Sequence, residues 1–481
     1  MPDSRTLTSA QTTDPLPIVH LGSGGRFDCA LTPPGSKSIT NRALVLAGLA
    51  SGTSTLRHAL VEADDTARMI AALGLLGARV DREGADILHV SGVGGRWNPT
   101  SREVHLDLGN AGTATRFLAA AAALSRVPVI IDGNPRMRQR PIGELTGALA
   151  SLGATIQHLG TPDCPPVRIV PPAFDLHAPK IEFGHLKSSQ FVSALLLVAP
   201  WIAGGLTIRH ISTVTSPSYI WMSLRLLERL GASVQNSDDL RVIRVGPPES
   251  PPETAESPDG HAAGLAPFDL SIEPDASGAT YWFAAAALCP GSRAVVRGLG
   301  PDSLQGDAGF PDLMERMGAR IDFVPAADAR SGGEISCVGP AALKPIVADM
   351  TDMPDAAMSL AAAACFAPGS TIIRGLTTLR VKESDRIGAM EHELAKVGVK
   401  VETNYLGDAG AIRLTPPMAG IDCSPGVPRV EFDTYDDHRM AMSLALIGLR
   451  RPNIWIRNPS CVNKTYPTFW RDLARLNATV R

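Results

Sequence analysis

The sequence has no paired cysteine pattern, no zinc-binding motif and no large excess of charge, and each absence excludes a class of protein. Its seven cysteines are scattered without paired spacings, which is typical of reduced thiols in a cytoplasmic protein. No CxxC or HExxH spacing occurs, so no metal site is predicted. The net charge of −3 argues against nucleic acid or an anionic membrane surface as the main partner.

Long apolar runs are also lacking. The first 16 residues are polar and contain no apolar segment of the kind a signal peptide needs. The longest apolar stretch, 191–206, is interrupted by Ser193 and Pro200 and is too short to span a bilayer, so it predicts a buried helix. We therefore expect a cytoplasmic protein without a membrane partner.

An internal repeat organises the chain. A short pattern recurs six times, each time after an amphipathic helical stretch and before a β-branched strand: LLGARV (75–80), SLGATI (151–156), RLGASV (229–234), RMGARI (316–321), KVGVKV (396–401) and RLNATV (475–480). The Gly of each copy, or Asn477 in the last, is predicted to end its helix in the left-handed conformation. Six copies at nearly one period indicate duplicated α/β modules.

A chain of 481 residues exceeds one ordinary core, so two or more domains are expected. The Pro-rich segment 246–267 is predicted to be a mobile loop. Crossovers between domains are predicted near 33–35 and 271–275. The first domain would then comprise 1–34 and 275–481, and the second 35–274.

The helix start TPPGSKSITNRALVLAGL (32–49) is rich in polar and cationic residues. Lys37 lies at the N-terminal end, where free backbone N–H groups favour an anion. Ser38 and Arg42 are four residues apart and share a helix face, with Asn41 beside them. The order Gly-Ser-Lys-Ser does not fit a phosphate-binding P-loop. Capping with solvated cations is the alternative interpretation of this stretch.

Other helix starts carry similar groups. In DLGNAGTATRFL (107–118), the glycines of a turn would let a ligand approach the backbone. NPRMRQRPIGEL (134–145) concentrates Arg136, Arg138 and Arg140 before a helix, where such charge is commonly a solvated rim. HLKSSQFVSALLL (185–197) offers small hydroxyl and amide donors, which are also ordinary capping groups.

The C-terminal half repeats this theme. Asp355 precedes an apolar helix in 349–366, and RVKESDRIGAM (380–390) spaces its charges as a surface ion-pair helix also would. YDDHRMAMSLALIGL (435–449) places His438 and Arg439 at another helix start, and Lys464 precedes the last helix. Each stretch has an ordinary explanation alone. Together they predict that helix N-termini meet in one cleft that binds anions.

In order along the chain, PGSKSITNRAL, LGNAGTATR, RMRQRPIG, KSSQF, PDAAM, RVKESDRI, DHRMAM and NKTYPTF closely resemble the 5-enolpyruvylshikimate-3-phosphate (EPSP) synthase family. The resemblance implies an α/β fold, a two-domain inside-out α/β barrel of six βαβαββ repeats, three per domain. It implies transfer of the enolpyruvyl group of phosphoenolpyruvate to the 5-hydroxyl of shikimate 3-phosphate, with release of phosphate, in the shikimate pathway. No cofactor and no metal are expected, and the expected partners are the two substrates of a monomer.

The resemblance also implies site residues. Those expected to bind shikimate 3-phosphate are Lys37, Ser38, Arg42, Ser188, Ser189, Gln190, Ser216, Tyr219, Asp355 and Lys382. Those expected around phosphoenolpyruvate are Lys37, Asn110, Gly112, Arg140, Gln190, Arg386, Arg439 and Lys464. Catalysis would fall to Asp355 as base, to Glu383 and Lys464 as candidates for moving a proton at the methylene carbon, and to Lys37. Gly112 further implies inhibition by glyphosate at the phosphoenolpyruvate site.

Three positions depart from many relatives: Thr378 replaces Asn, Pro217-Ser218 replaces Lys-Pro, and Phe117 replaces Pro. Two alternatives stay open from the sequence. A related enolpyruvyl transferase acting on a UDP-sugar shares the repeat but usually needs a reactive cysteine, and none lies in 136–140. A non-catalytic phosphoanion-binding protein would have lost Asp355 or Glu383, and both are present.

Overall fold

A computed structural model describes residues 13–22, 24–172, 179–249, 264–326 and 332–478. The strands in chain order are β1 (Leu16–Pro17), β2 (Asp28–Leu31), β3 (Thr53–Arg57), β4 (Arg79–Glu83), β5 (Ile87–Ser91), β6 (Val104–Asp107), β7 (Val129–Asp132), β8 (Thr155–His158), β9 (Val167–Val170), β10 (Lys180–Phe183), β11 (Leu206–His210), β12 (Ser233–Asn236), β13 (Val242–Gly246), β14 (Asp269–Ser271), β15 (Arg293–Leu299), β16 (Arg320–Pro325), β17 (Gly333–Val338), β18 (Val347–Asp349), β19 (Thr371–Arg374), β20 (Lys400–Thr403), β21 (Ile412–Thr415), β22 (Val430–Phe432) and β23 (Ile454–Ile456).

The α-helices are α1 (Lys37–Leu49), α2 (Asp64–Leu75), α3 (Gly112–Ala121), α4 (Gly143–Ser151), α5 (Gln190–Val198), α6 (Pro217–Arg229), α7 (Ala276–Leu288), α8 (Phe310–Arg316), α9 (Ala357–Ala364), α10 (Arg386–Ala395), α11 (His438–Gly448) and α12 (Phe469–Ala478). None of these described helices is both long enough and apolar enough to cross a membrane. The apolar stretch 191–206 forms most of buried α5 and a short 3-10 helix, Ala199–Trp201, as predicted.

One βαβαββ unit repeats through the structure. In the sheet β6-β7-β9-β8, the first two strands are parallel and flank α3, and α4 leads to the antiparallel pair β8 and β9. Four further sheets have the same order: β14-β3-β5-β4, β10-β11-β13-β12, β16-β17-β15-β2 and β18-β19-β21-β20. In the sixth, β22 and β23 flank α11, and the N-terminal β1 pairs antiparallel with β23. The predicted sixfold repeat is confirmed.

Two units exchange their first strands. β2 pairs with β15, far along the chain, and β14 pairs with β3. The chain therefore crosses twice between two groups of three sheets, and the crossovers run side by side. Ser36 N donates to Glu273 O at 2.8 Å, and Asp275 N donates to Pro34 O at 2.7 Å. The predicted boundaries at 34/35 and 274/275 fall inside these segments, and we propose them as the domain limits.

The buried apolar side chains form two separate clusters, one from Ile39 to Ile272 and one from Leu21 to Leu476. Each is built around three inner helices, α1, α3 and α5 in the second domain and α7, α9 and α11 in the first. Helices that are apolar on all sides, such as the Ala-rich α7, are stable only inside a core. The sheets consequently lie outside the helices, which makes each domain an inside-out barrel.

The repeated Gly ends the outer helix of five units. Gly77, Gly153, Gly231, Gly318 and Gly398 follow α2, α4, α6, α8 and α10, and their φ angles lie between +81° and +106°. The predicted left-handed cap is wrong for the sixth copy, because α12 continues through Asn477 to Ala478. Asn keeps a Cβ and accepts the right-handed helical conformation more readily than Gly does. The strand predicted after it, and residues 250–263 of the predicted loop 246–267, lie outside the described residues.

Candidate active site

The N-termini of several inner helices meet at a cavity between the two domains. Its lining comes from the starts of α1, α3, α5, α6, α10 and α11, and from the loops and 3-10 turns that precede them. The residues around it are Lys37, Ser38, Arg42, Gly112, Thr113, Phe117, Arg140, Ser188, Ser189, Gln190, Ser216, Tyr219, Asp355, Thr378, Lys382, Glu383, Arg386 and Arg439. Free N–H groups at helix starts favour an anion in such a place.

Arg42 is a buried cation held by neutral oxygens. Its Nε donates to Ser223 Oγ at 2.8 Å, its Nη2 to the Tyr219 carbonyl at 3.0 Å, and its Nη1 to the Ser38 carbonyl at 2.9 Å. The guanidinium also lies over the Phe117 ring, 5.1 Å from its centroid. Burial lowers the pKa of Arg42 to about 10. A desolvated cation with neutral partners is a strong receptor for an incoming anion.

Small polar groups share the cavity lining with Arg42. Ser188 Oγ accepts from the backbone N–H of Gln190 at 3.2 Å, and the Gln190 amide reaches Thr113 Oγ1 at 3.4 Å. Ser216 precedes α6 in the left-handed conformation with φ +45°. The Tyr219 hydroxyl is buried, and burial raises its pKa. These groups suit hydrogen bonds to phosphate and hydroxyl oxygens.

Asp355 lies among three cations. Its Oδ1 is 2.8 Å from Arg386 Nη1 and 3.3 Å from Lys382 Nζ, and its Oδ2 is 3.2 Å from Arg439 Nη2. Burial acts to raise the pKa of Asp355, but the neighbouring cations outweigh it and hold the pKa well below the ordinary value. Asp355 is therefore ionised across the neutral range.

Glu383 is the second carboxylate of the cavity. It lies 3.0 Å from Arg386 Nη2, 3.1 Å from Lys464 Nζ and 4.0 Å from Arg140 Nη1. Burial acts to raise the pKa of Glu383, and Lys464 and the two guanidinium groups outweigh it, so the pKa lies well below its usual range. The Lys464 ammonium also donates to the Asn110 carbonyl at 2.7 Å, across the domain boundary.

The Gly-rich turn before α3 is closely packed against Arg140. Arg140 Nη1 donates to the side-chain and main-chain oxygens of Asn110 at 3.1 and 3.2 Å. A Cβ added at Gly112 would lie 2.6 Å from Arg140 Nη2, closer than a normal contact. Only Gly at this position lets the guanidinium approach the helix start.

The structure brings nearly all the sequence-predicted site residues into one lining. Asn110 and Lys464 do not line the cavity but touch Arg140 and Glu383, which do. Thr378, the departure from Asn, lines it as well. In the part of the chain that the structure describes, no group of three or more His, Cys, Asp or Glu residues is arranged to hold a metal ion.

Sequence reasoning missed two supporting carboxylates. Asp65 is buried at the start of α2, 3.3 Å from Lys37 Nζ and 3.7 Å from Lys464 Nζ. Asp437 caps α11 and lies 2.8 Å from Arg386 Nε. The tandem aspartates at 436–437 were a signal for the second, but nothing in the sequence near Asp65 links it to distant lysines.

Comparisons with known proteins agree on one family. A sequence model of the EPSP synthase (3-phosphoshikimate 1-carboxyvinyltransferase) family matches residues 22–473. The 3-phosphoshikimate 1-carboxyvinyltransferase of Shewanella denitrificans is 38% identical over 95% of this chain and 98% of its own length. That of Laribacter hongkongensis is 41% identical over 92% of this chain and 96% of its own length.

Solved structures point the same way. An EPSP synthase from Acinetobacter baumannii has a TM-score of 0.76 at 25% identity, covering 98% of this chain and 99% of that one. The enolpyruvyl transferase NikO from Streptomyces tendae shares the fold, with a TM-score of 0.69 at 20% identity over 97% of this chain and 98% of its own.

Proposed function

The chain belongs to the EPSP synthase family, and from this premise we propose how its cavity carries out the family's reaction. The enzyme is a 3-phosphoshikimate 1-carboxyvinyltransferase: it transfers the enolpyruvyl group of phosphoenolpyruvate to the 5-hydroxyl of shikimate 3-phosphate and releases phosphate. The reaction is a step towards the aromatic amino acids.

The positive charge of the cavity is the observation that most strongly supports this assignment of the site. Seven cations are contributed by both domains, namely Lys37, Arg42, Arg140, Lys382, Arg386, Arg439 and Lys464. The two substrates each carry a phosphate and a carboxylate, about −5 to −6 in total at neutral pH. Arginine forks fit the oxygen pairs of carboxylate and phosphate groups.

We assign shikimate 3-phosphate to the side of the cavity formed by α1, α5 and α6. There Lys37, Ser38, Arg42, Ser188, Ser189, Gln190, Ser216 and Tyr219 would hold its phosphate, ring and carboxylate, with Asp355 and Lys382 on its hydroxyls. Phosphoenolpyruvate would lie between Arg140, Arg386, Arg439 and Lys464, with Lys37, Asn110, Gly112 and Gln190 around it. The support is that these groups line one cavity with Asp355 and Glu383, except Asn110 and Lys464, which contact Arg140 and Glu383.

The chemistry moves two protons in opposite directions. The 5-hydroxyl oxygen bonds to C2 of phosphoenolpyruvate and gives its proton to Asp355, while C3 takes a proton from Glu383 or Lys464. The tetrahedral adduct then returns a proton from C3 to the group that supplied it, as the bond between C2 and the phosphate oxygen breaks and the double bond is restored. Asp355 gives up its proton to the departing phosphate or to water, which regenerates the carboxylate. Lys and Arg side chains stabilise the departing phosphate.

Substrate binding would prepare both carboxylates. The pKa of Asp355 is depressed mainly by Arg439, with Lys382 and Arg386, and that of Glu383 mainly by Lys464, with Arg386 and Arg140. Anionic substrates that bind these cations offset that charge, so the pKa values of Asp355 and Glu383 rise. Asp355 then becomes a better base, and Glu383 can hold the proton that C3 requires.

The alternative function is that of the related enolpyruvyl transferase acting on a UDP-sugar. It usually uses a cysteine in the segment that corresponds here to 136–140, and this chain has arginines and no cysteine there.

We further propose that the enzyme acts as a monomer in the cytoplasm. One chain supplies the whole cavity, and the seven cysteines are all unpaired.

Phosphate release tests the proposed function. Purified protein given both shikimate 3-phosphate and phosphoenolpyruvate should release phosphate in equal amount to the carboxyvinyl ether formed. Each substrate alone is the control and should release none. Phosphate release from phosphoenolpyruvate alone, at the same rate, would show a phosphatase and refute the transferase assignment.

A further inference from the structure

Three arginines of the segment 136–140 have three different environments. Arg138 pairs with Asp132 of its own domain, Nε to Oδ1 at 2.9 Å and Nη2 to Oδ2 at 2.8 Å. Arg140 lines the cavity. Arg136, which the sequence suggested as part of a solvated rim, instead reaches the other domain.

Arg136 contacts the backbone of two site residues. Its Nε donates to the carbonyl of Glu383 at 3.1 Å, and its Nη2 donates to the carbonyl of Lys382 at 3.0 Å. The planar guanidinium thus spans two consecutive carbonyls with two separate N–H groups. Arg136 is half-buried and is not among the residues that line the cavity.

Residue 383 is consequently held from two directions by one short segment. Arg136 binds its carbonyl, and Arg140 lies 4.0 Å from its carboxylate. The two arginines are linked by the 3-10 helix Met137–Gln139, whose start is fixed by a hydrogen bond of 2.9 Å from Met137 N to Asn134 Oδ1. This geometry ties the position of Glu383 in the first domain to a rigid turn of the second.

We propose that Arg136 is a positioning residue that latches the two domains together and orients Lys382 and Glu383 for the reaction. Because both bonds join the two domains, they would be lost if the domains moved apart, which couples domain closure to the alignment of Glu383. Arg136 acts through the backbone of residues that touch substrate and makes no contact with substrate itself. The inference rests on the proposed function, because it assigns Arg136 a part in that reaction.

Substitution of Arg136 separates this role from a merely structural one. Arg136→Met removes both charge-assisted hydrogen bonds and should lower kcat roughly ten- to a hundredfold. The KM for shikimate 3-phosphate should rise by a smaller factor than kcat falls, because no substrate contact is removed. Arg136→Lys should give an intermediate kcat. A lysine ammonium keeps the charge, but it lacks the planar guanidinium whose two N–H groups bind the two carbonyls together.

Arg138→Met is the matched control. It removes an arginine two residues away that pairs only within its own domain in the contacts described above, and its kcat should stay within about threefold of the wild type. Thermal unfolding of all variants shows whether each is folded. If Arg136→Met does not fold, Arg136→Lys carries the comparison.

The outcomes are separable. A selective loss of kcat in the Arg136 variants, with Arg138→Met close to wild type, supports the latch. A kcat for Arg136→Met within twofold of wild type, or an equal loss in Arg138→Met, overturns it. Failure of the wild-type protein to release phosphate would count against the proposed function instead.

Discussion

In the proposed mechanism, Asp355 has two roles that oppose each other, as the partner of three cations and as the general base. It pairs with Arg386, Arg439 and Lys382, which keeps its pKa well below the ordinary value. A good general base needs a pKa nearer the working pH. We propose that bound substrates resolve this conflict, because their negative charges also interact with the three cations and so raise the pKa of Asp355.

Asp355→Asn should remove most of the rate and little of the binding. A missing general base typically costs about 10²–10⁴ in kcat. Shikimate 3-phosphate should still bind within about tenfold of wild type, because the cations that Asp355 neutralises remain to attract it. Steady-state kinetics and calorimetric titration measure the two effects.

Asp352→Asn is the control for this variant, since Asp352 lies three residues earlier and is exposed. It should leave kcat within about twofold. Near-normal turnover in Asp355→Asn would remove Asp355 from the mechanism.

Gly112→Ala should weaken inhibition by glyphosate more than it weakens use of phosphoenolpyruvate. The added methyl would lie 2.6 Å from Arg140 Nη2, and Arg140 is held by Asn110, so the guanidinium must move. Glyphosate is longer than phosphoenolpyruvate, so its binding should be weakened more when the added methyl reduces the space beside residue 112. One methyl of clash costs on the order of 1–3 kcal/mol, or roughly 10–200-fold.

Titration of both proteins with glyphosate at several phosphoenolpyruvate concentrations gives the inhibition constants and the KM values. The wild-type pattern should be competitive. Equal inhibition of wild type and Gly112→Ala would contradict the position assigned to Gly112 beside the ligand.

The roles of some single residues at the site could be predicted from the sequence, and the roles of others could not. The charged and polar groups at helix starts indicated much of the cavity lining, because their chemistry is visible in the residue types, and the resemblance to a known family added Ser216 and Tyr219. The sequence could not separate Arg136 from Arg138, which are the same residue type two positions apart. Only the packing of two domains decides that one meets Asp132 and the other meets the carbonyls of Lys382 and Glu383.

At the scale of the secondary-structure element, the repeated Gly after each outer helix has a conformational role that can be measured. Gly231 has φ +93°, and nothing lies within 4 Å of an added Cβ. Gly231→Ala should therefore cost about 1–2 kcal/mol through backbone strain alone, without any clash.

Gly147 is the matched control for Gly231, and substitution by alanine is expected to have the opposite effect on stability. It lies inside α4, and an added Cβ again meets nothing within 4 Å, but its φ is that of an ordinary helix. Gly147→Ala should stabilise the second domain by roughly 0.5–1 kcal/mol. Urea unfolding of both variants should shift the midpoint in opposite directions, and shifts of the same sign would contradict the conformational argument.

Helices and strands were predictable from the sequence where a local conformational preference determines where they begin or end. A Gly between an amphipathic helix and a β-branched strand has few alternatives, and five of the six copies adopt the left-handed conformation. The sixth differs because Asn477 permits the helix to continue. The sequence also predicted the two crossovers, near 33–35 and 271–275. It did not show that β2 pairs with β15 and β14 with β3, since pairing between strands more than 200 residues apart depends on the assembled barrel.

At the scale of the whole molecule, the two domains touch around the cavity. Arg136 binds the carbonyls of Lys382 and Glu383, and Lys464 binds the Asn110 carbonyl. The first domain contributes Asp355, Glu383 and Arg439, while Lys37 and Gln190 come from the second. We therefore propose that catalysis requires both domains in contact around the cavity, as they are in this structure.

Shikimate 3-phosphate should promote closure, because its anion meets cations of both domains. Small-angle scattering at saturating shikimate 3-phosphate should give a smaller radius of gyration than the free enzyme, close to the value calculated for the closed structure. Shikimate without the phosphate is the control and should change it less. No change on saturation with shikimate 3-phosphate would count against ligand-driven closure.

The most direct test of the central claim follows the bridging oxygen of phosphoenolpyruvate. Enolpyruvyl transfer breaks the bond between C2 and that oxygen, whereas hydrolysis by a phosphatase that breaks the bond to phosphorus leaves the oxygen on pyruvate. With ¹⁸O at the bridging position and shikimate 3-phosphate present, mass spectrometry should find the label in the released phosphate. The carboxyvinyl ether should carry none of it. Unlabelled phosphate together with labelled pyruvate would contradict the account.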